Sequence, residues 1–196
     1  MAPAHDADPP ETPHDGGVPR DDGLPQDDTL SRALVGDAHR LGQRLARAGR
    51  LMAVAESRTG GLIAAALTET AGSSAWFERG FVTYSNAAKR QLLGVRAGTL
   101  AAHGAVSEAT AREMAAGALA NSAAQLALSV TGIAGPGGAV PGKPVGTVCF
   151  GWALADGTTQ AETVRFDGSR AAVRLQAARH ALQRALALLD DTANGV

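Results

Sequence analysis

The sequence is poor in cysteine and in aromatic side chains. Of its 196 residues one is cysteine, and aromatic residues make up only 4%. A single cysteine excludes an intramolecular disulfide, and the absence of a cysteine cluster argues against a metal site. Cys149 lies within the apolar run 148–150 and is interpreted as a small core residue rather than a reactive thiol.

The chain also lacks long apolar runs. None approaches the length needed to span a bilayer, and no charged-then-apolar signal peptide opens the sequence. Hydrophobic residues nevertheless make up 45% of the composition, which is enough for a sizeable core. The expectation is a soluble cytoplasmic protein that does not bind a membrane.

Charge is unevenly distributed along the chain. Residues 1–28 carry eight acidic groups and one arginine, whereas residues 29–196 carry 17 basic and 11 acidic groups. The larger part is therefore mildly basic, which suits an anionic small-molecule substrate. Its arginines are scattered and few aromatic residues lie among them, so nucleic acid is disfavoured as a partner. The sequence leaves a homo-oligomer open.

Composition divides the chain into two regions. Residues 1–28 hold six of the nine prolines and almost no large apolar residues. Such a segment cannot bury enough surface to offset the entropy lost on ordering. It is predicted to be a disordered acidic tail, followed by one domain over residues 29–192. Thr29 is expected to cap the first helix of that domain.

Alternating patterns in the domain predict an α/β fold. Predicted strands are 51–55, 80–84, 126–130, 147–154 and 159–166, and predicted helices are 30–48, 60–69, 86–93, 107–122 and 169–189. Residues 94–104 are interpreted mostly as short turns. Asp156-Gly157 is a typical hairpin turn, so the last two strands should be antiparallel. The order predicts a three-layer α/β/α sandwich around a mixed, mostly parallel sheet of about five strands.

Ser57 occupies the boundary between the first strand and the helix that follows it. This position lies near unpaired backbone N–H groups and the positive end of a helix dipole. It would suit a nucleophile whose attack creates a negatively charged oxygen. Serine is also a common helix N-cap, so a purely structural role is the alternative.

Three strand ends carry polar or glycine-rich residues, at 55–61, 84–89 and 131–138. In a mostly parallel sheet, ligands collect at the carboxyl ends of the strands, so these segments should face one crevice. The glycines of 131–138 would let backbone N–H groups approach an anion such as phosphate. The alternative for this segment is a flexible surface loop.

Lys89 is one of only two lysines in a chain that has 16 arginines. Burial can lower the pKa of a lysine until it can accept a proton, which arginine cannot do. A lysine on the surface of a helix is the alternative. Tyr84, the only tyrosine, either offers its hydroxyl to a substrate or packs at the end of its strand.

Several motifs together resemble the CinA C-terminal domain family, and within it the stand-alone bacterial nicotinamide-nucleotide amidohydrolases. The resemblance extends from about residue 31 to 190. The segments that carry it are Ala55–Gly61, Gly72–Asn86, Lys89, His103–Ser107, Thr131–Pro136 and Lys143–Thr147. Members are described as Ser/Lys amidohydrolases that convert nicotinamide mononucleotide to nicotinic acid mononucleotide and ammonia.

The resemblance implies an anticodon-binding-domain-like fold and a catalytic pair of Ser57 and Lys89, with no cofactor. Backbone N–H groups around Thr59, Gly60 and Gly61 would then stabilise the oxyanion. Tyr84 and Thr131 become candidate hydrogen-bond partners of the substrate. Candidates for holding the 5′-phosphate are Gly132, Gly135, Gly137, Gly138 and Lys143. Glu56 would hold either the lysine or the ribose.

The chain departs from the family pattern at two positions. Arg58 stands where many members have cysteine, and Thr131 stands where serine is usual. If the side chain of Arg58 points inward it changes the charge beside the nucleophile, whereas pointing to solvent it has no effect. The loop between Pro136 and Lys143 is also looser than usual. Two other functions remain open: a non-catalytic nucleotide-binding module, and an amidohydrolase for another phosphorylated amide.

Overall fold

The computed structural model describes residues 25–194, with side chains described from 28 to 190. The predicted tail lies outside the described residues as far as residue 24. The first helix begins at Pro25, so Thr29 lies inside it and the prediction that Thr29 caps this helix is wrong. Proline is well tolerated in the first turn of a helix, where its missing N–H would have no intrahelical partner.

The described part of the chain forms six α-helices, five strands and one short 3-10 helix at Ser73–Ala75. The helices are α1 (Pro25–Ala48), α2 (Leu62–Thr68), α3 (Asn86–Leu93), α4 (Ala97–His103), α5 (Glu108–Ala120) and α6 (Arg170–Asn194). The strands are β1 (Met52–Glu56), β2 (Phe77–Val82), β3 (Leu126–Gly132), β4 (Thr147–Leu154) and β5 (Thr159–Arg165). None of these helices is long and apolar enough to cross a membrane.

The strands form one mixed sheet in the order β2-β1-β3-β4-β5. Strand β1 is parallel to both β2 and β3, whereas β4 is antiparallel to β3 and to β5. Four strands therefore run in one direction and only β4 opposes them, which confirms the predicted mostly parallel sheet and its final hairpin. The carboxyl ends of β1, β2 and β3 meet at one edge.

Helices cover both faces of the sheet, and two apolar clusters fill the layers between. Alternate β1 side chains enter different clusters: Val54 packs with residues of α1, α2 and α6, whereas Ala53 and Ala55 pack with residues of α3 and α5. The predicted three-layer sandwich is confirmed. Cys149 is buried in β4, as predicted, and burial raises the pKa of its thiol.

Strand β2 differs from the prediction, which placed it at 80–84. It pairs with β1 from Phe77, opposite Met52, to Val82, opposite Glu56. The N–H of Thr83 then makes a last hydrogen bond to the Glu56 carbonyl at 2.7 Å. Thr83 and Tyr84 consequently follow the strand and belong to the edge where ligands collect.

Helix α4 also differs from the prediction, which was that residues 94–104 form mostly short turns. The carboxylate of Glu113, on α5, accepts hydrogen bonds from the Arg96 N–H at 2.8 Å and the Thr99 hydroxyl at 2.7 Å. These bonds satisfy donors at the first turn of α4. Because the acceptor comes from another helix, the local pattern of residues 94–104 does not reveal it.

Candidate active site

The carboxyl ends of the parallel strands open into a crevice of about 670 Å³. All three segments expected to converge contribute to its walls. The described residues that line it are Ser57, Arg58, Tyr84, Asn86, Lys89, Gly104, Ala105, Val106, Thr131, Gly132, Ile133, Ala134, Gly135, Gly137, Gly138, Val140, Lys143 and Arg170. Four of these side chains are Lys or Arg and none is a carboxylate, so the crevice suits an anion.

Ser57 and Lys89 meet at the floor of the crevice. The Ser57 Oγ and Lys89 Nζ atoms are 3.0 Å apart, and both side chains are buried. Ser57 follows β1 directly, and its N–H donates to the Val130 carbonyl of β3. Ser85 accepts a hydrogen bond from the N–H of Ala88 and so caps α3, which fixes the first turn from which Lys89 projects. The sheet and a capped helix thus hold the pair.

The environment of Lys89 lowers the pKa of its amine. Its Nζ donates to the Thr83 carbonyl at 2.8 Å, and the described lining contains no carboxylate to stabilise a positive charge. Burial, followed by the positive charge of Arg58, lowers the pKa of Lys89 to about 8. On the order of a tenth of the molecules then carry a neutral amine at pH 7. A neutral amine 3.0 Å from the Ser57 hydroxyl can accept its proton.

Glu56 performs neither role expected of it. Its side chain is fully buried, and its carboxylate accepts the N–H groups of Gly61, Ile63 and Ala64 at 3.0, 3.1 and 2.9 Å. These are donors at the first turn of α2, where a negative charge also complements the helix dipole. Glu56 therefore caps α2, and it contacts neither Lys89 nor the crevice.

Arg58 lies along the wall of the crevice. Its Nη1 donates to the Tyr84 hydroxyl at 2.6 Å, and its guanidinium lies 4.7 Å from the centre of the Tyr84 ring. Arg170 donates to the same hydroxyl at 3.2 Å and to the Gly135 carbonyl at 2.6 Å. Partial burial alone would raise the pKa of Tyr84, but the hydrogen bonds from the two arginines outweigh it, and the pKa is lowered.

The turn after Ser57 changes the set of possible oxyanion donors. The Gly60 N–H donates to the Ser57 carbonyl and the Gly61 N–H to Glu56, both at 3.0 Å. These two predicted donors are therefore engaged. The N–H groups of Arg58 and Thr59 have no acceptor within the described residues. They are the donors that remain for an oxyanion at Ser57.

The side chain of Thr59 points away from the crevice. It is buried in a small cavity beneath α6, where its hydroxyl has no hydrogen-bond partner among the described residues. Only the backbone of Thr59 is available near Ser57. Thr131 lies in the crevice wall as predicted, but its hydroxyl donates to the Ala105 carbonyl at 2.8 Å.

The glycine-rich loop forms one side of the crevice. All four glycines singled out as phosphate candidates line it, and a Cβ at Gly132 would lie 2.9 Å from the Thr147 carbonyl oxygen. Lys143 also lines the crevice, where its Nζ donates to the His103 carbonyl at 2.9 Å. The structure therefore brings together every residue predicted for this subsite.

Three further residues of the site were not predicted from the sequence: Thr83, Asn86 and Arg170. Thr83 acts through its carbonyl, a group that every residue carries. Arg170 begins α6 and resembles the other arginines of that helix, and it contacts Tyr84 across 86 residues. Asn86 follows the cap of α3 and resembles any residue that begins a helix. No local signal distinguishes these three residues.

The chain is similar in sequence to a family of known proteins. The model of the family described as CinA C-terminal domain matches residues 36–189. A nicotinamide-nucleotide amidohydrolase PncC from Enterobacter agglomerans is 57% identical over 146 residues, which cover 74% of this chain and 89% of the relative. The PncC of Escherichia coli K12 is 54% identical, covering 74% of this chain and 88% of the relative.

Longer relatives and solved structures agree with these matches. A CinA-like protein from Mycolicibacterium gilvum is 58% identical over 142 residues, covering 71% of this chain but only 34% of that relative. The crystal structure of a competence/damage inducible protein from Agrobacterium tumefaciens is 47% identical with a TM-score of 0.77, covering 81% of this chain and 96% of the other. A CinA-superfamily structure from Klebsiella pneumoniae has a TM-score of 0.78 at 40% identity, covering 81% and 98%.

Proposed function

The chain belongs to the CinA C-terminal domain family, and we propose on that premise that it hydrolyses nicotinamide mononucleotide to nicotinic acid mononucleotide and ammonia. It is an amidohydrolase, like the PncC relatives that it matches at 54–57% identity. The reaction would convert nicotinamide mononucleotide into a deamidated nucleotide that re-enters the pyridine nucleotide pool. We place it in the cytoplasm, where pyridine nucleotides are recycled.

One observation carries the mechanism: the 3.0 Å contact between the Ser57 hydroxyl and a buried amine that has no carboxylate partner in the described lining. Neutral Lys89 takes the proton of Ser57 as the Ser57 oxygen bonds to the carboxamide carbon. The electron pair of the carbonyl moves to its oxygen, which the N–H groups of Arg58 and Thr59 would stabilise. The Thr83 carbonyl holds the charged Lys89 during this step.

The tetrahedral intermediate then collapses. Protonated Lys89 gives its proton to the departing amine, and the C–N bond breaks. Ammonia leaves, and the nicotinoyl group stays bound to Ser57 as an ester. Water attacks this ester as Lys89 takes a proton from it. The bond to Ser57 breaks, Lys89 returns its proton to the Ser57 oxygen, and the carboxylate product is released. One water is consumed and one ammonia is produced, with no metal in the sequence of steps.

The crevice supports a phosphorylated substrate. Its lining combines Arg58, Arg170 and Lys143 with the glycine loop, and these groups offer N–H donors and positive charge without an opposing carboxylate among the described residues. Arg170 and Arg58 each use part of their guanidinium on Tyr84, and each guanidinium has five N–H donors in total. Donors therefore remain on both for the oxygens of a phosphate.

The decisive experiment is an ammonia-release assay on nicotinamide mononucleotide, run beside its dephosphorylated riboside. The proposal expects rapid release from the nucleotide and slow release from the riboside. Equal rates would contradict the phosphate subsite, and no release from either would contradict the proposed reaction.

If another phosphorylated amide were the substrate, Arg58 would be the residue to examine. A non-catalytic module would bind the nucleotide without releasing ammonia, and the contact between Ser57 and Lys89 argues against it.

A further inference from the structure

Arg174 of α6 makes two hydrogen bonds to the turn that follows Ser57. Its Nε donates to the Arg58 carbonyl at 3.1 Å and its Nη2 to the Thr59 carbonyl at 2.7 Å. The side chain lies beside the small cavity beneath α6, outside the described residues that line the crevice. It therefore touches the backbone around the nucleophile without reaching the space for a substrate.

The two bonds fix the orientation of peptide planes, because the C=O and N–H of a trans peptide point in opposite directions. The Arg58 carbonyl and the Thr59 N–H belong to one peptide, which is trans. With this carbonyl directed toward Arg174, the Thr59 N–H points away from α6. The next peptide is held at both ends, since Arg174 binds its carbonyl and its Gly60 N–H donates to the Ser57 carbonyl.

The direction of the Thr59 N–H matters because α6 and the catalytic amine lie on opposite faces of the sheet. Residues of α6 belong to the apolar cluster with α1 and α2, whereas Leu93 of α3 belongs to the cluster of the other face. Lys89 projects from α3 and contacts the Ser57 hydroxyl. An N–H that points away from α6 therefore points toward the side on which the oxyanion forms.

We propose that Arg174 is a positioning residue that orients the Thr59 N–H toward the oxyanion formed at Ser57. This inference rests on the proposed function, since it assigns a device to the same reaction. Arg174 contributes no atom to the reacting centre. It replaces the conformational freedom of a glycine-containing turn with a fixed arrangement, so the donors need no reorganisation when charge develops.

A role confined to stability makes different predictions from a positioning role. If Arg174 only attaches α6 to the turn, its removal lowers the unfolding temperature and leaves the folded molecules fully active. If it positions the donors, kcat falls in folded molecules while KM changes little, because the donors act on the oxyanion and not on the bound substrate. The pKa in the pH–rate profile should also stay unchanged, since Lys89 is untouched.

The test compares Arg174→Met and Arg174→Lys with the wild-type protein, and uses Arg184→Met as the matched control on the same helix. For ammonia release from nicotinamide mononucleotide, Arg174→Met should lower kcat about 10- to 100-fold with KM within about twofold. This loss is smaller than the ~10²–10³ that deleting a donor costs. Arg174→Lys should be intermediate, because an ammonium cannot bond both carbonyls in the fork geometry of a guanidinium. Arg184→Met should retain wild-type kcat.

A second measurement separates this proposal from the proposed function. A fluorophosphonate reacts with an activated serine by forming an O–P bond and releasing fluoride, and intact mass reports the rate of labelling at Ser57. If the wild type is labelled and Arg174→Met is labelled at least 10-fold more slowly, the positioning role is supported even if nicotinamide mononucleotide is not the substrate. Equal labelling rates in folded wild-type and Arg174→Met protein would overturn it, as would a wild type that the probe does not label. If Arg174→Met does not fold, Arg174→Lys decides by the same criteria.

Discussion

The Oγ atom of Ser57 lies 3.0 Å from the Nζ atom of Lys89, although 32 residues separate them in the sequence. The contact joins the end of a central strand to the first turn of a helix on one face of the sheet. The contact limits the movement of both side chains, because the buried amine has the Ser57 hydroxyl and the Thr83 carbonyl as its hydrogen-bond partners. Proton transfer between them requires no movement of the backbone.

Replacing either member of this pair should remove activity without unfolding the protein. Ser57→Ala deletes the nucleophile, and Lys89→Met deletes the base, which typically contributes about 10²–10⁴ in rate. Lys89→Arg should be equally inactive because a guanidinium stays protonated at any working pH.

Ammonia release measures the activity, and circular dichroism checks the fold. Arg90→Met, on the same helix but outside the crevice, serves as the control and should remain active. Activity of Lys89→Arg close to wild type would disprove the role of a neutral lysine.

The activity should depend on pH through Lys89. Because the neutral amine is the active form and its pKa is about 8, kcat/KM should rise about tenfold per pH unit below 8 and level off above it. Arg58 contributes to the lowered pKa through its positive charge. Arg58→Met should therefore raise the pKa of Lys89 and move the rising limb to higher pH. The profile is measured between pH 6.5 and 10, and a limb that moves to lower pH would contradict this assignment.

How much of this site the sequence could predict depends on how local the information is. Ser57 was identified because an apolar strand, a serine and two glycines adjoin in the chain, and Lys89 because lysine is rare here. Family resemblance joined the two. The role of Glu56 was missed because the same residue type can bind a lysine, a sugar or a helix start, and only the fold brings three N–H groups to it.

The parts of the fold that were predicted poorly depend on distant partners. Helix α4 needs the carboxylate of Glu113, and the limits of β2 follow from its register with β1. Arg170 enters the crevice because α6 packs against the sheet beside it, and the periodicity of α6 does not separate this arginine from its neighbours. The layers and the final hairpin were predictable because apolar spacing and one turn motif determine them.

Glu56 should be important for stability as well as for the position of Ser57. In the wild type, the two carboxylate oxygens of Glu56 accept hydrogen bonds from the N–H groups of Gly61, Ile63 and Ala64. Glu56→Gln removes the charge and leaves only one oxygen as an acceptor for these three N–H groups. Leaving a buried donor without an acceptor costs about 1–3 kcal/mol. Urea unfolding should show a loss of this size. Glu69→Gln, at the other and exposed end of α2, is the control and should change stability by less than about 0.5 kcal/mol. Equal effects of the two substitutions would refute the capping role.

The cationic wall should be responsible for the preference for a phosphorylated substrate. Arg170 and Lys143 line the same crevice as Ser57, yet each spends one donor on a backbone carbonyl, of Gly135 and His103 respectively. If the remaining donors bind a phosphate, Arg170→Gln and Lys143→Gln should each raise KM for nicotinamide mononucleotide while leaving the slow reaction of the riboside unchanged. Hydrogen bonds to charged groups contribute about 1.5–3 kcal/mol, which corresponds to roughly a 10- to 100-fold change in KM.

The comparison of the two substrates is the internal control, because a distorted crevice would impair both. A proportional loss on the nucleotide and the riboside would mean that these residues shape the crevice and do not bind phosphate. A change confined to Arg170→Gln would place the phosphate between Arg170 and Arg58, away from the segment that holds Lys143.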